Sequence, residues 1–207
     1  MLGHSLILNK YMKKEALEKL KIKCNECKAC ELHMTSHNAV FADGNPETAF
    51  VMLIGEAPGE NEDLQGIPFV GRAGKLLNEF LEKAGLSREN DLYIANTIKC
   101  RPPKNRVPSK TEKEACKTFL YLQIEIVDPK IILLCGATAL KSFIATKEPI
   151  SRIRGEIYEV EINKKLYKAM PIFHPSYLLR NHSTEENSPR GLTLKDLKKI
   201  ETFSNLH

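Results

Sequence analysis

No apolar run in this chain approaches the roughly 20 residues that a membrane-spanning helix needs. The chain also shows no signal-peptide cleavage pattern, no internal repeat and no low-complexity tract. We therefore expect a cytoplasmic protein without a membrane partner. The remaining composition is ordinary, because 207 residues with 42% hydrophobic and 28% charged side chains fit one globular domain over residues 1–207.

The glycine-rich segments lack the Gly-Lys-Ser/Thr ending of a phosphate-binding loop. Gly55 and Gly59 belong to a turn without lysine, and Gly74-Lys75 is followed by Leu76. The sequence thus argues against a nucleoside triphosphatase. Lys and Arg outnumber Asp and Glu by 31 to 26. This mild basic excess is compatible with a nucleic-acid partner but does not require one.

The cysteines indicate metal or cluster ligation. Six of them in a cytoplasmic chain are poorly explained by disulfides. Five form two candidate ligand groups, Cys24, Cys27 and Cys30 early in the chain and Cys100 and Cys116 downstream. The first group contains two overlapping Cys-x2-Cys pairs. Cys135 lies within an apolar run and is interpreted as a buried apolar thiol.

Apolar runs alternate with amphipathic segments along the chain. The expected strands span 49–54, 92–98, 130–134 and 169–173, and residues 156–162 resemble half of a hairpin. The expected helices span 9–22, 73–84, 110–127, 137–145 and a segment from about Thr193. Residues 1–23 are thus an N-terminal helical segment, and Ser109 with Glu112 predicts a capping box. This order predicts an α/β fold, a three-layer α/β/α sandwich around a four-stranded parallel sheet.

Polar segments follow the expected strands, and their side chains should meet at one sheet edge. These segments span 55–63, 96–100 and 174–181. They carry Glu56, Asn96 and His174, each of which also has a plainer interpretation as part of a turn or as a structural residue. Phe69, enclosed by Gly and Pro residues, is either a core residue or a stacking platform. Together these residues predict a cleft with a carboxylate, an amide and an imidazole.

The segment after His174 has the character of a DNA-contacting loop. Leu178 and Leu179 look exposed, and they lie between Ser176 and Arg180. Apolar side chains beside a cation suit a wedge that enters a base stack while the cation binds phosphate.

Four motifs in this order resemble those of family-4 uracil-DNA glycosylases, the iron–sulfur branch of that superfamily. The motifs are Gly55-Glu56-Ala57-Pro58-Gly59 with Glu62-Asp63, then Pro68-Phe69-Val70-Gly71, Asn96 through Pro103, and His174 through Asn181. The resemblance covers residues 24–200. It implies hydrolysis of the N-glycosidic bond of deoxyuridine in single- or double-stranded DNA, by a monomeric, monofunctional enzyme that leaves an abasic site.

The resemblance also implies a role for each site residue. Phe69 would stack on a flipped uracil, and Asn96 would pair with its Watson–Crick edge. Glu56 and Ala57 would line the pocket, with Glu56 orienting the hydrolytic water or stabilising a cationic sugar. His174 would donate a hydrogen bond to the departing base.

A 4Fe–4S cluster is the cofactor that the resemblance implies, with Cys27, Cys30, Cys100 and Cys116 as its ligands. Cys24 is then an extra thiol. A four-thiolate zinc site is the rival interpretation of the same residues. For function, the competing class is a DNA-binding iron–sulfur module of this fold that lacks catalysis.

Overall fold

The computed structural model describes residues 2–204, and the side chains of residues 12–204. Met1 and residues 205–207 of the expected domain lie outside the described residues, as do the side chains of 9–11 in the first expected helix. The strands are β1 (Asp43–Gly44), β2 (Val51–Gly55), β3 (Leu92–Asn96), β4 (Ile131–Cys135), β5 (Tyr158–Ile162) and β6 (Lys165–Ile172). The helices are α1 (Leu2–Asn25), α2 (Glu60–Gln65), α3 (Arg72–Lys83), α4 (Lys110–Val127), α5 (Ala137–Phe143), α6 (Ile150–Ile153), α7 (Pro175–Leu178), α8 (Pro189–Lys198) and α9 (Glu201–Ser204).

The strands form one mixed sheet in the order β1-β3-β2-β4-β6-β5. The inner strands β3, β2, β4 and β6 run parallel, whereas β1 and β5 pair antiparallel at the two edges. The expected four-stranded parallel sheet is therefore not confirmed in this form, because the sheet of residues 2–204 is mixed and has six strands. β1 has only two residues, too few for a periodic pattern, and β5 is the hairpin strand whose partner is an extended β6.

Helices cover both faces of this sheet, as the three-layer prediction requires. Val51 and Leu53 of β2 pack into a core shared with α3 and α8. Met52 and Ile54 point to the opposite side, into a core shared with α1, α4 and α5. Because both faces are covered, every residue of β2, β3 and β4 is buried.

Helix α4 begins at the expected capping box. The Glu112 backbone N–H donates to Ser109 Oγ at 3.1 Å, and Glu112 Oε2 accepts from the Ser109 N–H at 2.7 Å. Hydrogen bonds from Arg106 lower the pKa of Glu112 to about 2. The last expected helix starts earlier than Thr193, since Ser188 caps α8 and Pro189 is its first residue. Among the helices of residues 2–204, none combines the length and apolarity needed to cross a bilayer.

A buried ion pair fastens α8 to the segment before β5. The Asp196 side chain is fully buried and bonds the Arg154 guanidinium, which is 13% exposed. Gly155, with φ of 74°, permits this contact, because a Cβ there would lie 2.1 Å from Asp196 Oδ1. The ion pair thus depends on a glycine in the left-handed region.

Asp196→Ala should lower the free energy of unfolding by about 3–5 kcal/mol, since it leaves the Arg154 charge buried and unpaired. The matched control is Glu148→Ala, which breaks the exposed pair with Arg152 and should cost at most about 1 kcal/mol. Urea unfolding measures both. Equal losses of unfolding free energy in the two variants would contradict the assignment of Asp196 and Arg154 as a buried, stabilising ion pair.

Candidate active site

A cavity of about 380 Å³ lies where β2, β3, β4 and β6 end. This volume is in the range of small-ligand sites. Six residues expected from the sequence line it, namely Glu56, Ala57, Phe69, Asn96, His174 and Ser176. The predicted convergence of the strand ends is therefore confirmed. Leu178, Leu179 and Arg180 do not belong to its lining.

The back of the cavity depends on Gly55. The strand register pairs this residue with Asn96 on the neighbouring strand. A Cβ at Gly55 would lie 2.4 Å from Asn96 Oδ1 and 2.6 Å from Phe69 Cζ. Only glycine allows the amide and the ring to approach the strand end this closely.

The Asn96 amide is buried with an unused acceptor. Its residue is 2% exposed, and within residues 12–204 no side chain or backbone group bonds to Oδ1. A buried acceptor without a partner costs about 1–3 kcal/mol. Because Asn96 lines the cavity, a ligand that donates an N–H would satisfy it.

Phe69 lies on the cavity wall in an unusual backbone conformation. Its φ is 53°, a region that L-residues with a bulky side chain rarely adopt. The ring contacts the core formed with α3 and lies 5.8 Å from the His174 ring, tilted by 40°. The core interpretation of Phe69 is thus confirmed. Because the residue also lines the cavity, a stacking role stays a prediction.

Arg88 holds the loop that carries Phe69. Its Nη2 donates to the Pro68 carbonyl at 2.6 Å, and its Nη1 donates to the Phe69 carbonyl at 3.1 Å. The remaining N–H groups bond to Asp43 and Asn78. The guanidinium therefore fixes two successive carbonyl groups, which maintains the left-handed backbone at Phe69. No local pattern in the sequence indicates this role for Arg88, because its partners are distant in the chain.

The acidic side chains after β2 have separate tasks. Asp63 is buried and accepts the backbone N–H groups of His37 and Asn38 at 2.9 and 3.1 Å. Glu62 accepts those of Val70 and Gly71 at 3.0 and 2.8 Å. Both residues therefore order loops around the cavity. Glu60 is exposed. Glu56 and Glu62 both line the cavity, and Glu56 is the one of the two whose carboxylate bonds no backbone N–H group of residues 12–204.

Glu56 is half-buried and anchored at the start of α5. The Thr138 hydroxyl donates to Glu56 Oε2, and the Thr97 hydroxyl donates to the Glu56 carbonyl at 2.5 Å. Sequence reasoning missed Thr138. It follows the end of β4, however, so the strand-end argument that found Asn96 could have found it as well.

The hydrogen bonds of His174 define its tautomer. Its Nδ1 accepts the backbone N–H of Ser176 at 3.1 Å and lies 2.7 Å from the Ser176 hydroxyl oxygen. The neutral ring therefore carries its proton on Nε2. Burial lowers the pKa of His174 to about 4, although the Glu62 carboxylate acts in the opposite direction. At neutral pH the imidazole is an uncharged donor.

The loop after His174 corrects one expectation. Leu178 is 1% exposed and packs into the core beside α3. The expectation that both leucines are exposed was therefore wrong for Leu178. The reason is the one-turn helix α7, which directs Leu178 inward. Leu179 is only partly buried, and Tyr177 is 40% exposed with its ring 5.1 Å from that of Phe173.

The predicted cysteines converge on a second, small cavity of about 20 Å³. Five thiols line it, those of Cys24, Cys27, Cys30, Cys100 and Cys116. Cys135 lies elsewhere, fully buried, as expected. Within residues 12–204, however, no three His, Cys, Asp or Glu side chains are arranged to hold one metal ion. The structure thus groups the candidate ligands, and a metal site is not confirmed.

Comparison with known proteins places this geometry in a family. The model of the uracil DNA glycosylase superfamily matches residues 41–198, which include Glu56, Phe69, Asn96 and His174. The match thus covers the strands and helices that build the cavity.

Several type-4 uracil-DNA glycosylases are similar to this chain over nearly their whole length. That of Thermotoga maritima is 45% identical over 93% of this chain and 97% of its own. That of Archaeoglobus fulgidus is 42% identical over 90% and 92%. That of Sulfurisphaera tokodaii is 40% identical over 90% and 84%. Because the superfamily model matches the residues that build the cavity and these relatives are 40–45% identical over most of the chain, the chain belongs to the uracil DNA glycosylase superfamily and to its type-4 branch.

Proposed function

We propose that the protein excises uracil from DNA by hydrolysing the N-glycosidic bond of deoxyuridine, which leaves an abasic site for repair. The observation that carries this proposal is the unpartnered Oδ1 of Asn96 beside the Phe69 ring. The type-4 uracil-DNA glycosylases that the chain resembles support the same substrate.

The pocket suits the edge of uracil. Uracil N3–H would donate to Asn96 Oδ1, and uracil O4 would accept from the Asn96 amide nitrogen. Cytosine reverses both groups, with an acceptor at N3 and a donor amine, and would place like groups together. Because the target bond is shielded within a duplex, the nucleotide has to leave the stack first. Phe69 would then stack on the extruded base.

His174 and Glu56 have different roles in the proposed catalysis. His174 Nε2–H would donate to uracil O2, where negative charge grows as the base departs. A positioned donor of this kind contributes about 3–4 kcal/mol to the transition state. Glu56, held by Thr138, orients the hydrolytic water or stabilises the cationic sugar, and Ala57 completes the wall. No covalent enzyme–DNA intermediate is needed, so the enzyme is monofunctional.

We propose that the exposed loop after His174 contacts DNA through Ser176, Leu179 and Arg180. Leu178 has no part in this proposal, because it would have to leave the core. Leu179, which is partly exposed, keeps the wedge role. Residues 1–207 act as one cytoplasmic, monomeric domain on single- or double-stranded DNA.

We also propose that Cys27, Cys30, Cys100 and Cys116 hold a 4Fe–4S cluster. The convergence of five cysteines on one cavity supports a thiolate-bound cluster, and the choice of these four follows the resemblance to the iron–sulfur branch. A zinc ion at about 2.3 Å from each sulfur would need the thiolates close together, whereas a four-iron cluster separates its ligands more widely. The cluster would join the segment before residue 31 to the loop after β3 and so stabilise the DNA-contacting side.

The first prediction from the proposed function concerns the reaction itself. The assay incubates the protein with a uracil-containing oligonucleotide and then cleaves abasic sites with alkali. His174→Ala should reduce the single-turnover rate by about 100-fold, because a donor to the leaving base is lost, with little change in DNA affinity. The exposed His182 provides the control His182→Ala, which should keep the rate.

Since the pKa of His174 is about 4, its protonation should not lower the rate between pH 7 and 5. Wild-type protein that binds this DNA without cleaving it would favour the non-catalytic module.

The second prediction concerns base stacking. In Arg88→Lys one ammonium cannot reach the carbonyls of both Pro68 and Phe69, so the ring should lose its fixed position. Free uracil should then inhibit about tenfold more weakly, a change of about 1.4 kcal/mol. Arg152→Lys, on an exposed pair, should leave inhibition unchanged. An unaltered inhibition constant for Arg88→Lys would remove Arg88 from the positioning role.

The third prediction concerns the cofactor, measured as iron and acid-labile sulfide per chain in anaerobically purified protein. Cys27→Ala, Cys30→Ala, Cys100→Ala and Cys116→Ala should each lose both, because each removes a thiolate ligand. Cys24→Ala is the matched control and should retain them. One zinc per chain without iron would reject the cluster in favour of the rival site.

A further inference from the structure

Lys99 lies between Asn96, which we propose recognises the base, and the cysteines. Only 1% of its surface is exposed, and it is among the largest fully buried side chains of the described residues. It lines the cysteine cavity and stands three positions after Asn96, just before Cys100. A buried lysine at this place needs an explanation, since taking an ammonium group out of water is costly.

The hydrogen-bond partners of Lys99 are neutral. Its Nζ donates to the Asn96 carbonyl at 2.9 Å and to Gln123 Oε1 at 2.6 Å. The Gln123 amide nitrogen donates in turn to the Phe41 carbonyl at 3.1 Å, which fixes Oε1 toward the ammonium. These bonds occupy two of the three ammonium donors, and they supply no negative charge.

The groups that can compensate the charge are thiols. Among the described residues, no carboxylate forms an ion pair with Lys99, whereas Cys24 and Cys116 line the same small cavity as Lys99. Protonated thiols would leave the ammonium without a counter-charge. Thiolates bound to a cluster would provide one, since four thiolates outweigh the positive charge of an oxidised 4Fe–4S core.

We propose that Lys99 is the internal counter-charge of the cluster and connects it to the backbone carbonyl of Asn96. This inference rests on the cofactor under Proposed function. The cluster would then have a second role beside scaffolding. The ammonium group that balances the charge of the thiolates also donates to the Asn96 carbonyl at the end of β3, and so positions the residue that recognises the base. Lys99 is accordingly a positioning residue, and the charge it contributes is measurable at the cluster itself.

The experiment compares holoproteins purified anaerobically: wild type, Lys99→Gln, Lys99→Arg and Lys13→Gln. Gln can still donate to the Asn96 carbonyl but carries no charge, whereas Arg keeps the charge. Lys13 is the matched control, a half-buried lysine whose Nζ donates to the Val127 carbonyl at 2.8 Å. The measurements are the midpoint potential of the cluster and its rate of loss to an iron chelator.

Lys99→Gln should shift the midpoint potential to more negative values, because reduction adds negative charge that Lys99 no longer balances. Its cluster should be lost at least about tenfold faster, and Lys99→Arg and Lys13→Gln should behave like wild type. If Lys99→Gln fails to acquire iron while Lys99→Arg contains the cluster, the result would also support Lys99 as the counter-charge.

Two results would overturn the proposal. One is a Lys99→Gln protein with the wild-type potential and rate of loss. The other is a Lys99→Arg protein as defective as Lys99→Gln, since shape and not charge would then matter. Wild-type protein without iron would instead reject the cofactor, while activity on uracil-containing DNA would still be decided by the cleavage assay.

Discussion

The absence of a side chain at Gly55 is the constraint on which the pocket depends. Two elements from different parts of the chain, the Asn96 amide and the Phe69 ring, occupy the space that a Cβ at Gly55 would fill. The amide is positioned by the register of two buried strands, and the ring by a loop fastened through Arg88. Recognition is therefore built on the rigid part of the molecule, where a ligand meets groups that need no further ordering.

Charge around the cavity is arranged so that one carboxylate is available for chemistry. Asp63 and Glu62 accept backbone N–H groups and order the surrounding loops. His174 stays neutral at pH 7, because burial lowers its pKa and its Nδ1 is already an acceptor. On the cavity wall, His174 thus offers a donor, Asn96 an acceptor, and Glu56 a carboxylate that bonds no backbone N–H group of residues 12–204. This set suits a neutral base attached to a sugar that becomes cationic.

The parts of the structure that follow from local pattern could be predicted from sequence. The buried strands, the capping box at Ser109 and the convergence of Glu56, Asn96 and His174 follow from periodicity and from the geometry of parallel sheets. The edge strand β1 could not be predicted, because two residues carry no period. The inward turn of Leu178 depends on a one-turn helix packed on α3, and the roles of Arg88 and Lys99 arise only from contacts with distant residues.

The two ends of the sheet have a consequence for behaviour at high concentration. Strands at a sheet edge expose unpaired backbone groups to which another chain can add. On one side of this sheet the edge strand has only two residues. On the other side, β5 places Glu159 and Glu161 in solvent, so a second copy would bring like charges together. Within residues 2–204 neither edge offers a long apolar template, and the fold is thereby protected against strand-mediated aggregation.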